Sequence, residues 1–393
     1  MSDKPIKVCM VGYTLYLTDA RIKAYVRSLE KRGIETDAIV LQESGKGREE
    51  KTNSGVIYYL TKKYRGSNSV RYVLSYFQFF LAAFFKLTTL HLRKRYTTIH
   101  VHNMPNFIVF TAIIPKILGV RIILDVHDLM TANYMAKFSV KDDHWLIRLL
   151  KFEQKLSAAF VDIVLCADHQ QKEMLAQYGI PKEKITVMMN VANEDIFKPV
   201  TCEKHEEKFQ LVYHGTVAER LGIDILLRAM ALVKDRMPVF LSVYGDGDYI
   251  NECMKLRENL KLEDCVYFSA SAFNVEDVPK MISIMDVGIV PNKKTPATDR
   301  FMMPVKLMEC VHLQIPVIAP RLRIIQRYFD ETMIKYFEPE NVENLARCIV
   351  ELYENPEERK ILVKNTNKFI EKHNWKTQEK EYLKLILSGN HTN

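Results

Sequence analysis

Between Glu50 and Asp125 the chain has no acidic residue, although Lys51, Lys62, Lys63, Arg65, Arg71, Lys86, Arg93, Lys94, Arg95, Lys116 and Arg121 all fall there. Glycine and proline are scarce too, 14 of each in 393 residues, which excludes a collagen-like or disordered chain. Seven cysteines are scattered from Cys9 to Cys348 without a CxxC pair. That excludes a disulfide framework and a zinc ribbon, and it fits free thiols in a reducing cytoplasm. The first five residues lack the apolar core of a secretory signal. The aromatic-rich uncharged run from Tyr72 to Phe85 is shorter than the ~18–20 residues a membrane-crossing helix needs, so no span is expected from it.

What is present is a globular composition with segregated charge. The chain is 48% hydrophobic and 26% charged, enough for two or three domains with cores of their own. Net charge is +8, and residues 1–200 hold 29 Lys+Arg against 19 Asp+Glu, so the whole basic excess lies in the first half. Such segregation points to a polyanionic partner. No groove-reading or single-strand-binding motif accompanies it, so the expected partner is an anionic membrane surface met by segment 51–124, not nucleic acid. Within that segment Ser75, Gln78, Ala82, Lys86, Thr89 and Arg93 recur at steps of three and four, a narrow polar stripe on an otherwise apolar helix. Two readings stay open for it: a helix buried between neighbours, or one dipped into a lipid headgroup layer. Localisation is expected to be cytoplasmic, peripheral on the inner face of the cell membrane.

Short β-type runs alternate with helical stretches. The runs fall at 6–11, 37–41, 98–101, 121–126, 161–166 and 185–189, then at 209–214, 239–244, 265–268, 286–290 and 316–319. This alternation is the signature of parallel sheets wrapped by helices. A polar stretch, 190–208, separates the two series. The expectation is an α/β chain of two doubly wound, Rossmann-like domains facing one another across a cleft: 1–195, 196–375, and a terminal helix, 376–393, that crosses back to the first domain. In such sheets ligands gather beyond the carboxyl ends of the strands. The residues there are Gly12, His102-Asn103, His127-Asp128, Gly215-Thr216, Gly245-Asp246-Gly247 and Pro291-Asn292.

Gly215 follows a strand and precedes the amphipathic run 223–233. A glycine there lets the backbone approach a phosphate, and the helix start presents free N–H groups to it. Arg220 adds a charge-assisted contact, or is simply a surface residue in a turn. Gly245 to Asp248 lacks the third glycine of a dinucleotide fingerprint, and its two Asp read as turn and cap residues, not as a metal pair. Lys306 and Glu309 are three apart on a helix-compatible segment before an apolar strand, so they share a face. An ammonium for phosphate oxygens and a carboxylate for sugar hydroxyls suit a nucleotide-diphosphate-sugar; a plain surface ion pair is the bland reading. Asp19-Ala20-Arg21 forms a helix N-cap in the simplest account.

Taken together these residues resemble glycosyltransferase family 4, the retaining nucleotide-sugar transferases with two facing Rossmann-like domains (the GT-B fold). The likeness runs from about residue 6 to 385. It rests on the Gly215 turn, Ala229, Gly245-Asp246-Gly247, the segment from Asp286 to Pro291, and Pro304 to Glu309 leading into Pro316. Asp19 to Arg21 and His127-Asp128 match the family's acceptor side.

The resemblance implies that Glu309 binds the donor ribose and that Arg220 with Lys306 binds the diphosphate. Gly215, Thr216, Gly245, Asp299 and Pro304 would frame the donor, Phe268 and Ala270 would lie near its base, and His127 beside the transferred sugar. Gly12, Asp19, Arg21, His102, Asn103 and Asp128 would serve the acceptor, a glycolipid or saccharide in cell-surface polysaccharide or glycolipid synthesis. No metal or cofactor is implied; the nucleotide-sugar is a substrate. Three positions depart from the family pattern. Phe301 stands eight residues before Glu309 where a second Glu is common, with Asp299 as its substitute, and Thr216 and Leu221 replace an Arg and a Lys. A GT-B epimerase or phosphorylase, or a non-catalytic nucleotide-sugar-binding scaffold, would share the architecture. A nicotinamide dehydrogenase is disfavoured by the absent third glycine.

Overall fold

The computed structural model describes residues 5–388 except 65, 67, 68, 139–142, 200–207 and 272. Arg65 of the basic segment, residues 200–207 of the polar stretch and the extreme N-terminus thus lie outside the described residues. The chain divides into two compact units, Met1–Asn190 with Gln378–Asn393, and Val191–Thr377.

The first unit is built on eight strands: β1 Lys7–Gly12, β2 Glu35–Gln42, β3 Glu49–Lys51, β4 Val56–Lys62, β5 Thr98–His102, β6 Arg121–Val126, β7 Ile163–Cys166 and β8 Ile185–Val187. Their order is β3-β4-β2-β1-β5-β6-β7-β8, parallel except for the β3–β4 pair. The inner strands are covered on both faces, which is why they read as unbroken apolar runs without alternation. In β1, Cys9, Met10 and Val11 are all buried. No strand expectation covers β3 or β4: β3 is a short, charged edge strand, whereas β4 holds an uncharged Val56–Leu60 run that was itself an available strand signal.

The second unit has six parallel strands, β9 Phe209–His214, β10 Val239–Tyr244, β11 Val266–Phe268, β12 Val287–Ile289, β13 Val317–Pro320 and β14 Lys335–Phe337, in the order β11-β10-β9-β12-β13-β14. In each sheet the winding reverses once, between β1 and β5 in the first and between β9 and β12 in the second. The crevice outside the strand ends at such a reversal is where doubly wound folds bind ligands.

Two helices bear on the site. Ala20–Glu30 starts at Asp19, whose side chain accepts the Ile22 N–H at 3.0 Å, so the N-cap expected from sequence is formed. Ser69–Lys94 is a 26-residue helix that runs past both ends of the uncharged stretch from Tyr72 to Phe85. It is therefore long and apolar enough to cross a bilayer, contrary to the length expectation, because Arg71, Lys86 and Arg93 extend it without breaking it. Replacing Asp19 with Ala is expected to cost about 1 kcal/mol. A lower urea midpoint for the first unit at unchanged slope checks this; an unmoved midpoint would show that the cap carries no weight.

Candidate active site

At the first sheet's reversal, register aligns Gly12 with His102, and His102 with Asp125. Gly12 allows this approach: a Cβ there would meet the His102 Cβ at 3.4 Å. Side chains two apart on a strand share a face. His100 and His102 of β5, with Asp125 of β6 and His127 just beyond it, therefore project to one side, beneath the helix that carries Arg21.

Arg21 binds Asp125 through two hydrogen bonds, Nε to Oδ2 at 2.8 Å and Nη2 to Oδ1 at 2.7 Å. Burial works against the carboxylate's charge, yet Arg21, His127 and hydrogen bonds from His100 and His102 hold its pKa well below the usual range. Burial also pushes His102 well below the ordinary imidazole value, with His100 adding to the effect, so His102 is neutral. Its Nδ1 lies 3.1 Å from His127 Nε2. His127 alone among these rings reaches solvent, 23% exposed, and among the described residues its Nδ1 has no hydrogen-bond partner. Asn103 accepts the His127 N–H at 2.8 Å and donates to the Asp128 carbonyl at 2.8 Å, pinning the two strand ends together.

Of the residues expected on the acceptor side, then, His127 and Asp128 remain part-exposed, whereas Arg21 and His102 are buried behind them and Asn103 is spent on backbone groups. Asp19 is engaged as the helix cap. The ligand atoms of His100, His102 and Asp125 lie within 4.8 Å of one another, a spacing a metal could use. Both oxygens of Asp125 are already bonded to a guanidinium, whose charge opposes a cation there. Asp125 was not anticipated, though its place two residues before His127 on one strand was the available signal.

Beside this network, at the carboxyl ends of β2 and β4, a cavity of about 460 Å³ is lined by Leu15, Leu17, Gln42, Glu43, Lys62 and Lys63 among others. Glu43 accepts the Leu17 N–H through Oε1 at 2.8 Å, while its buried Oε2 has no partner. Such an oxygen is costly until a donor reaches it. Nothing in the sequence pattern marks it.

At the second sheet's reversal, Gly215 closes β9 with φ +102°. The helix Val305–His312, with Pro304 at its N-cap, brings Lys306 against it: a Cβ on Gly215 would stand 3.6 Å from Lys306 Cε. The Lys306 stem is part-exposed, but its Nζ is shut off from solvent, makes no hydrogen bond, and sits 3.6 Å from the centre of the Tyr213 ring. Burial pushes its pKa down to about 7 against the pull of Glu309, and the nearby Arg220 charge pushes the same way. Arg220, exposed in the turn after Gly215, is near enough for its charge to be felt at Lys306.

Glu309, on the same face, makes no ion pair with Lys306; it is held by His214 Nε2 at 2.7 Å. His214, the residue just before Gly215, escaped the sequence reading. Gly245 lies so close to the same turn that a Cβ would strike the Gly215 oxygen at 1.9 Å, and its N–H is accepted by Ser269 Oγ at 3.0 Å. That bond joins the Gly245 turn to Phe268 and Ala270. Thr216 turns its carbonyl back to the Tyr213 hydroxyl. Asp299 is committed elsewhere: it accepts the Arg323 N–H at 3.0 Å and its Nε at 2.6 Å, which leaves little of it for a substrate.

Comparison with known proteins gives two family matches, "Glycosyltransferase Family 4" over residues 20–195 and "Glycosyl transferases group 1" over 208–355. A chitobiosyldiphosphodolichol beta-mannosyltransferase of Debaryomyces hansenii is 23% identical over 230 residues, 52% of this chain and 48% of that protein. The chain thus spans about half the length of the curated relatives it matches first. Among solved structures, a sucrose-phosphate synthase from Thermosynechococcus elongatus superposes with TM-score 0.76 at 17% identity, covering 98% of each chain. Anabaena Alr3699/HepE, in complex with UDP and glucose, gives 0.73 at 13% identity over 98% of this chain and 100% of its own. The fold is GT-B.

The state of Lys306 sets a pH dependence for anions bound at the Gly215 turn. Unliganded, it is charged only below about pH 7; a diphosphate against it raises that value again. Affinity for nucleoside-diphosphate sugars, whose phosphates do not titrate in this range, is therefore expected to hold steady as pH falls below 7. Above 7 it should weaken by up to about tenfold per pH unit, with proton uptake on binding. Titration calorimetry in buffers of different ionisation enthalpy measures both, and a flat profile without uptake would separate Lys306 from the anion.

Proposed function

Because the chain belongs to the family 4 glycosyltransferases, we propose that it moves a sugar, with retention of anomeric configuration, from a nucleoside-diphosphate sugar to a hydroxyl of a lipid-linked saccharide. The observation that carries this reading is the buried, unpartnered ammonium of Lys306 beside Gly215. Breaking the glycosyl–phosphate bond throws negative charge onto the diphosphate. A cation already desolvated and aimed at that charge gains more from the transition state than from the ground state, which lowers the barrier. Arg220 adds a second cation, so Lys306 and Arg220 meet the charge that other enzymes meet with a metal. Glu309, oriented by His214, accepts from the ribose hydroxyls. The turn joining Gly245 to Phe268 and Ala270 receives the base.

On the first unit, His127 orients the acceptor sugar through its open Nδ1, and the Asp125–Arg21 pair keeps the ring in place. The departing phosphate takes the acceptor proton, so His127 need not act as a base. The cavity beside β2 and β4 extends the acceptor surface: Glu43 Oε2 takes a sugar hydroxyl, and Lys62 faces an acidic group on the acceptor. The relative from Debaryomyces hansenii is named for a diphosphodolichol-linked acceptor, and Anabaena Alr3699/HepE is seen with UDP; both support this class of substrates. The enzyme would work at the cytoplasmic face of a membrane, where its acid-free segment 51–124 meets anionic lipid.

Lys306→Met and Glu309→Gln are each expected to cut transfer by roughly 10²–10³, about 2.7–4 kcal/mol, with melting temperature little changed. A thermal-shift panel of nucleotide sugars selects the donor to use. Full activity in either variant would sink the donor assignment, and an inverted anomeric centre in the product, read by NMR, would sink retention.

A further inference from the structure

The Ser69–Lys94 helix is apolar on two sides, and only one of them is used. Ser75, Phe79, Ala83, Leu87 and Leu90 are buried against the first unit's sheet. On the other side Val70, Leu74, Phe77, Leu81, Phe85 and Leu92 follow at steps of three, four and seven and stand exposed, Phe85 by 65%. The 3-10 run Asn106–Ala112 packs alongside, Phe107 stacking on Phe77 at 5.5 Å. Against its far side lies the helix Trp145–Phe160, joined through Phe110 and Phe160 at 5.1 Å. That helix repeats the pattern: Trp145 (68% exposed), Leu149, Phe152 (63%) and Leu156 form one outward row. Ile117, in the short helix that follows the 3-10 run, is 75% exposed as well. Single exposed apolar residues are ordinary, but a continuous face of this extent marks a docking surface.

Charge identifies the occupant. Across Ser69–Lys94, residues 106–117 and Trp145–Phe160 the sequence carries Arg71, Lys86, Arg93, Lys94, Lys116, Arg148, Lys151 and Lys155 against one acid, Glu153, which is turned inward onto Asn106 at 2.8 Å. Lys86, Lys94 and Lys116 reach Glu49, Asp37 and Asp162 outside these segments. An apolar face whose flanking segments carry a clear excess of cations complements an anionic lipid surface, whose headgroups meet those cations while its acyl chains take the ridge. A membrane-crossing role for Ser69–Lys94 is blocked by its committed face: spanning would expose Phe79 and Leu87 and strip β4 of its cover.

We propose that the two helices 69–94 and 145–160 lie side by side in the headgroup layer of an anionic bilayer, as one monotopic docking platform. The second helix lies outside the acid-free segment, so charge along the chain does not reveal it. This rests on the reading of the acceptor as lipid-linked, and it supplies the surface that brings the first unit to such an acceptor.

The chain has two tryptophans, Trp145 on the ridge and Trp375, which is 5% exposed in the second unit. With full-length protein and vesicles of phosphatidylcholine alone or mixed with phosphatidylglycerol, without donor or acceptor, binding is expected only to the anionic mixture. Lipids brominated near the carboxyl end of the acyl chain should quench Trp145, and Trp145→Phe should abolish the quenching. The pair Leu149→Ser and Phe152→Ser should weaken binding by about tenfold or more, while transfer to a detergent-soluble acceptor stays unchanged. Binding without quenching, or no binding to either vesicle, would overturn the platform. So would a dimer in sedimentation that the serine pair dissociates, which would make a second copy the occupant. Activity on the soluble acceptor is read separately, so loss of the platform and loss of the glycosyl-transfer reading give different results.

Discussion

Lys306 carries its ammonium into a place with no hydrogen-bond acceptor, above the Tyr213 ring and against Gly215, and the turns of the second unit follow from keeping it there. Leaving a cation dry and unpaired is costly. The fold bears that cost through Pro304 at the helix start, the bare backbone of Gly215, and the near-contact of Gly245 with the Gly215 carbonyl. A site of this kind is organised before its ligand arrives, so no further rearrangement is needed when charge develops. The neighbouring carboxylate shows the opposite solution. Glu309 could have neutralised Lys306 one turn away, but His214 holds it instead, and cation and anion remain separately available.

In the first unit the buried charges of Arg21 and Asp125 satisfy one another. Arg21 and Asp125 pair through two short hydrogen bonds, and the histidines of β5 pack against them. Removing either partner would strand a buried charge, which is why such a pair fixes geometry so firmly. The pair is a foundation and His127 is the one ring it presents outward. The two units thus use charge in different ways: paired charge fixes a position in the first, unpaired charge awaits a partner in the second.

The apolar face belongs to neither site. It arises because the 69–94 helix has more hydrophobic surface than the sheet can cover, and because the 145–160 helix, packed on the same 3-10 run, repeats the excess. Folding alone leaves both rows in water, and the docking proposal rests on that surplus.

Much of the architecture was legible in the sequence because it depends on local pattern. Unbroken apolar runs mark strands covered on both faces, and the glycines after 209–214 and 239–244 mark turns, Gly215 with a positive φ and Gly245 where a Cβ would collide with backbone. Asp19 could be read as a cap, and Lys306 with Glu309 as neighbours on one helical face, because helix geometry alone places them. Strand β3 was hidden by its charge and shortness, and the full length of the 69–94 helix by the basic residues that extend it; the apolar run of β4 was legible. What only the tertiary structure decided were relations across the chain. Arg21 meets Asp125 over 104 positions, His214 meets Glu309 over 95, and Glu43 lines a cavity with one buried oxygen left unpartnered. Whether a polar side chain contacts substrate, supports one that does, or closes an ion pair depends on what surrounds it in space. Spacing along the chain carries no record of that for residues brought together by strand order.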